Sequence, residues 1–129
     1  MRLAALALAL SSVTTYAHHS IERTYDLKTE VRLTGTVRQL LLRNPHSFLQ
    51  IEVPDQEGMT QIWSLEFPKG ASSLFKQGIQ PGTLKIGDRI TVTANPSFYN
   101  PTEKRGNMVT LHRDSDGFEW SAKMKRTQS

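Results

Sequence analysis

Apolar and polar residues alternate over much of the chain. Val31, Leu33, Gly35 and Val37 interleave with Arg32, Thr34, Thr36 and Arg38, the period of two that marks a half-buried strand. Gly35 has no side chain to pack, so a bend or bulge is expected there. Leu40-Leu41-Leu42 breaks the alternation and predicts cover on both faces. Asn44-Pro45 marks a turn, because proline pushes the preceding residue out of the helical region. A second strand over residues 48–53 puts Leu49, Ile51 and Val53 on one face, and residues 54–58 form a hairpin loop. The third strand, residues 61–67, sets Ile62, Ser64 and Glu66 against Trp63, Leu65 and Phe67, and Pro68 ends it.

Residues 71–77 predict a short helix with Leu74 and Phe75 inward, stopped by Gly78. A turn at Gly87-Asp88 leads into a fourth strand with Ile90, Val92 and Ala94 on one face. Residues 95–107 read as a long polar loop, the segment expected to be most mobile. Residues 108–113 and 118–122 form a last hairpin around Asp116-Gly117, a strong turn cue. Three strands, a short helix and then further strands is the order of a small OB-like antiparallel barrel. The fold class is therefore all-β, with one short helix between strands 3 and 4 and a generic antiparallel barrel or roll as the alternative.

The N-terminus breaks this pattern. Met1-Arg2 is followed by an unbroken run of Leu and Ala over residues 3–10. Eight apolar residues are too few for a membrane span, which needs about 20. They suit a secretory signal, and Thr15-Tyr16-Ala17 places small residues where a signal peptidase reads. The expected organisation is a signal peptide at 1–17, one barrel domain with an N-terminal arm at 18–122, and a basic tail at 123–129. Cleavage would leave 112 of the 129 residues, begin the chain at His18, send it to the periplasm and leave no transmembrane segment.

With 129 residues the chain fits one domain and excludes a second catalytic one. It has no cysteine, hence no disulfide framework, thiol nucleophile or thiolate metal site. The net charge of +4 is modest for its length, and basic and aromatic residues are sparsely interleaved, so nucleic acid is not an expected partner. No Gly-x-Ser-x-Gly, His-Glu-x-x-His or phosphate-cradling glycine loop is present, and the expectation is a non-enzyme.

The remaining candidate chemistry lies in four histidines: His18, His19, His46 and His112. If cleavage exposes His18, its α-amine and ring nitrogen can chelate one ion, and a second imidazole completes a three-nitrogen set. That set favours copper, which heads the divalent affinity order. The amine's ordinary pKa of about 7.7–8.0 lets copper displace its proton near neutrality. His46, directed by the Asn-Pro turn, is the choice for the second imidazole, with His19 or His112 auxiliary. A second possibility is chelation by the amine, the intervening amide and His19 without any fold. The bland alternative is a solvated His-His terminus and a His46 that merely caps a turn.

A reading from another class is a small-ligand or protein-partner module with no metal, using Asn44, Trp63 and Glu66 and the 95–107 loop. Trp63 most simply packs in the core, where its N–H needs a partner, and Glu66 sits at the rim beside an arginine. Lys104-Arg105 reads as solvated charge.

Ala17-His18-His19-Ser20, Tyr25-Asp26, Gly35-Thr36-Val37, Asn44-Pro45-His46, Trp63 with Glu66, and Leu84-x-x-Gly87-Asp88 resemble the short exported bacterial proteins grouped as domain of unknown function 6152. The resemblance runs from His18 to about Ala94. It implies a small periplasmic β-protein without an established activity, and its hallmark segments hold His18, His19 and His46. The expected function is copper carriage or storage in the periplasm, the partner being the metal ion or another periplasmic protein.

Overall fold

The computed structural model describes residues 20–99 and 102–124. The predicted signal peptide, His18, His19 and most of the basic tail lie outside the described residues. A helical turn, α1 (residues 20–24), precedes the first strand. The elements that follow are β1 (Val31–Leu41), β2 (Phe48–Pro54), β3 (Thr60–Glu66), α2 (Ala71–Lys76), β4 (Arg89–Pro96), β5 (Arg105–Arg113) and β6 (Phe118–Ser121).

The sheet order is β3-β2-β1-β4-β5-β6, and β3 also pairs with β5. That last pairing closes a five-stranded barrel in the cycle β1-β2-β3-β5-β4, with β6 extending β5 as a hairpin. This is the all-β, OB-like barrel the pattern predicts, with α2 between strands 3 and 4. Closure differs from an all-antiparallel arrangement in one respect: β3 and β5 run parallel, with Ser64, Leu65 and Glu66 opposite Arg105, Gly106 and Asn107.

One face of each strand fills the interior. Leu49, Ile51, Leu65, Phe67, Val92 and Met108 are wholly buried, and Leu74 and Ile79 extend the same cluster from α2 and the residues after it. Phe75, expected inward beside Leu74, is instead exposed, at 41%. In so short a helix only the Ala71/Leu74 spacing reaches the core.

Three further expectations change. The bulge in β1 falls between Val37 and Gln39 rather than at Gly35. Gly35 serves close approach instead, since a Cβ there would run into the Glu52 carbonyl. The predicted loop 95–107 is shorter, because β4 continues to Pro96 and β5 starts at Arg105. Asn95 and Asn107 are buried in those strands: Asn107 Nδ2 donates to Asn95 Oδ1 at 3.0 Å, and Asn95 Nδ2 donates to the Thr29 carbonyl at 2.9 Å.

The core tryptophan is Trp120, not Trp63. Its ring meets Phe67 edge-on at 4.9 Å, and its Nε1–H donates to Gln77 Oε1 at 3.1 Å. Trp63 is half-buried at the barrel surface beneath the Lys104 ammonium, 5.6 Å from the ring centre.

Candidate functional site

The β1–β2 connection positions His46. Its Asn44–Pro45 bond is cis. Ser47, fully buried, holds the turn from inside: its hydroxyl accepts from the Arg43 N–H and donates to the Arg43 carbonyl, both at 3.0 Å. The Ser47 N–H donates to the Lys69 carbonyl and the Ala71 N–H to the Arg43 carbonyl. These bonds tie the turn to the residues before α2. Asn44 and the Pro45 carbonyl lie so close over Gly70 that a Cβ there would clash with both.

His46 therefore meets the end of β3 in a fixed direction. Its Nδ1 lies 2.9 Å from Glu66 Oε1, and both side chains are only 14% exposed. The other oxygen of the same carboxylate, Oε2, accepts from the Tyr25 hydroxyl at 2.6 Å. Tyr25 follows α1 directly. It is 1% exposed, bridges Ser97, and is flanked by backbone bonds from Asp26 N–H to the Pro96 carbonyl and from Phe98 N–H to the Thr24 carbonyl. The arm is thus stitched along the end of β4 and delivers its phenol to Glu66.

Burial, and then the hydrogen bond to Glu66, push the Tyr25 phenol well above its usual range. It remains a neutral donor at any physiological pH. Partial burial opposes the charge of the Arg105 guanidinium, but the field of Tyr25, Glu103 and Glu66 raises its pKa overall. Arg105 pairs with Glu103 at 3.6 Å, and its charge also acts on Tyr25 and, more weakly, on Glu66. The carboxylate is an acceptor on both oxygens, with a histidine on one side and a tyrosine on the other.

With Glu66 ionised, the Nδ1 of a neutral His46 must carry the proton, which leaves a lone pair on Nε2. Among the described residues no hydrogen bond to Nε2 is formed. Carboxylate-backed imidazoles of this kind are the usual form of a metal-ligating histidine.

His112 stands elsewhere. It lies on β5 five residues beyond Asn107, the partner of Glu66, so it sits roughly 17 Å further along the strand at about 3.4 Å per residue. Both its nitrogens are engaged, Nε2 with Asp114 at 2.8 Å and Nδ1 with Glu119 at 3.2 Å. The structure brings His46 and Glu66 together and leaves His112 apart. Among the described residues no three His, Asp or Glu side chains converge as a metal-binding group.

The residues of the metal-free reading have different surroundings. Asn44 is exposed over Gly70, Trp63 lies under Lys104, and Glu66 is enclosed by Tyr25 and His46. A surface cleft of about 570 Å³ along β1, between Arg32 and Arg89, has none of the three in its lining.

A family model matches residues 6–107. The chain belongs to DUF6152, a family of unknown function. The DUF6152 match extends past Ala94, where the motif resemblance stops, and takes in the buried Asn95–Asn107 pair together with Arg105. It therefore spans every member of the Tyr25–Glu66–His46 network. No curated protein matches the chain. No helix among the described residues is long and apolar enough to cross a membrane.

Tyr25 and Arg105 are the members that reading the residues one by one did not single out as site residues. Tyr25-Asp26 stands out only as part of the family motif. Its hint is an aromatic isolated in a polar stretch, Glu22 to Glu30, with no periodicity to explain it.

Proposed function

We propose that this DUF6152 protein binds copper in the periplasm, as a carrier or storage module. His46 Nε2 is one ligand. The other two are the α-amine and ring of His18, exposed by removal of the signal peptide, with His19 auxiliary. The observation that carries the reading is the 2.9 Å contact between His46 Nδ1 and Glu66, which orients the imidazole and presents its second nitrogen as a lone pair. A second feature supports it: the segment directly after His18-His19 is anchored through Tyr25 to that same carboxylate. A neutral imidazole and an amine suit copper best among divalent ions.

Copper titration of the chain beginning at His18 tests this, beside a form with one extra residue before His18 and a His46→Ala variant. Both altered forms are expected to bind at least tenfold more weakly. Equal affinity in the extended form eliminates the terminal chelate, and equal affinity in His46→Ala eliminates the second imidazole.

A further inference from the structure

We infer that Glu66 is a latch that couples docking of the N-terminal arm to the state of the His46 ring, through a separate carboxylate oxygen for each. Its regulatory consequence for copper rests on the function proposed above, but the latch itself requires no metal.

Tyr25 carries a buried hydroxyl at the end of a short helical turn. That hydroxyl is satisfied by Glu66 Oε2 at 2.6 Å. A buried donor without a partner is costly, so the seat of the phenol, which backbone bonds of Asp26 and Phe98 also hold, loosens when Glu66 leaves its orientation. That orientation is fixed from the other side by His46 at Oε1, 2.9 Å away. The turn preceding Glu66's partner is rigid through Ser47. Movement of the His46 ring therefore frees the carboxylate, and a freed carboxylate releases Tyr25.

The geometry also bounds the arm. From Tyr25 back to Ser20 is five helical steps, roughly 7.5 Å at about 1.5 Å per residue. A docked Tyr25 keeps Ser20 within that reach of the Glu66 carboxylate, and a short tether of this kind raises the effective concentration of a donor attached to it. A metal bridging arm and barrel then favours docking by the same factor by which docking favours the metal, as linkage requires.

Amide hydrogen exchange at Tyr25, Asp26 and Phe98, whose N–H groups bond to Ile21, Pro96 and Thr24 carbonyls, reads docking. The ¹⁵N signals of the His46 ring read its tautomer. Both are measured on the metal-free chain beginning at His18. Tyr25→Phe is expected to speed exchange at the three amides at least tenfold and to leave the Nδ1–H tautomer in place. His46→Ala, which does not touch Tyr25, is expected to speed the same amides several-fold. Glu66→Gln is expected to do so and to mix the tautomers. Unchanged exchange in Tyr25→Phe, or in His46→Ala, overturns the latch. Copper added to the unmodified chain is expected to slow the three amides. If the variants behave as stated but copper leaves the amides of the unmodified chain unchanged, the latch stands and the copper reading falls.

Discussion

Removing the Glu66 carboxylate should cost far more than its position near the surface suggests. Glu66→Ala deletes two hydrogen bonds, at 2.6 and 2.9 Å, and bonds to a charged group contribute about 1.5–3 kcal/mol each. It also strands the Tyr25 hydroxyl in a site where the residue is 1% exposed. Relaxation of the arm recovers part of this, so the net loss is expected at about 3–5 kcal/mol. That is a large part of the roughly 5–15 kcal/mol that holds such a domain. Tyr25→Phe keeps the ring and loses one of these bonds, for about 1.5–3 kcal/mol. Urea unfolding of the two single variants and the double variant gives the coupling, expected at about 1–2 kcal/mol. The control is Glu119→Ala, which removes a carboxylate from His112 at 3.2 Å, but where the side chains are 42% and 71% exposed. Such an exposed pair is worth about 0.2–1 kcal/mol. Additive effects of Tyr25→Phe and Glu66→Ala, or equal losses for Glu66→Ala and Glu119→Ala, would refute the argument that burial gives the network its strength.

Three other outcomes follow from the same coordinates. The Tyr25 phenol titrates higher in the folded chain than its ordinary value of about 10, so its contribution is complete below that pH and is lost as the pH rises above it; Tyr25→Phe should flatten the alkaline limb of a stability profile. At the other extreme, the Arg113 guanidinium, followed by the Phe118 N–H, holds Asp116 at about 2, and the Lys85 N–H, followed by Arg113, lowers Asp88. These depressed values stabilise the fold above the ordinary carboxylate pKa of about 4, and the gain disappears as the pH falls toward 2. Arg113→Met should shift acid unfolding, followed by circular dichroism, to higher pH. Trp120→Ala should cost about 3–5 kcal/mol in urea unfolding, and Trp63→Ala should cost less because its ring is only partly buried.

The strands were readable because each has one face in the barrel interior, so burial imposes a period of two: Leu49/Ile51 and Ile90/Val92 announce themselves. What joins distant strands was not readable. The parallel contact of β3 with β5 depends on closure of the whole barrel, and no local pattern encodes it. Asn95 and Asn107 look like loop residues because their amides are polar, yet each satisfies its amide nitrogen inside the fold. Phe75 and Trp63 misled in the opposite direction, since hydrophobic character alone does not say which side of a short element meets the core. At the site, His46 was marked by the rigid Asn-Pro turn and Glu66 by a carboxylate opposite Leu65 and Phe67. Its partners were the surprise: Glu66 pairs with a histidine and a tyrosine as well as facing an arginine, contacts that bridge 20 and 41 residues of sequence.

The division of labour between barrel and arm follows from counting nitrogens. Among the described residues the barrel holds two imidazoles, and one of them, His112, has carboxylates on both nitrogens at the far end of β5. Among the described residues His46 is the imidazole with a carboxylate on one nitrogen alone, and one ligand makes a weak site. A strong one needs donors from a segment that reaches the His46 end, and the segment stitched there is the arm, through Tyr25. On the copper function proposed above, the barrel would act as a rigid platform with a single preset ligand, and the arm would supply the chelate and the reversible step. Such a bipartite site can be opened by undocking α1 without unfolding any strand. Under that proposal release of the ion would be a local event, as a carrier requires, and a carboxylate shared between His46 and the arm would serve it better than one dedicated to the ring.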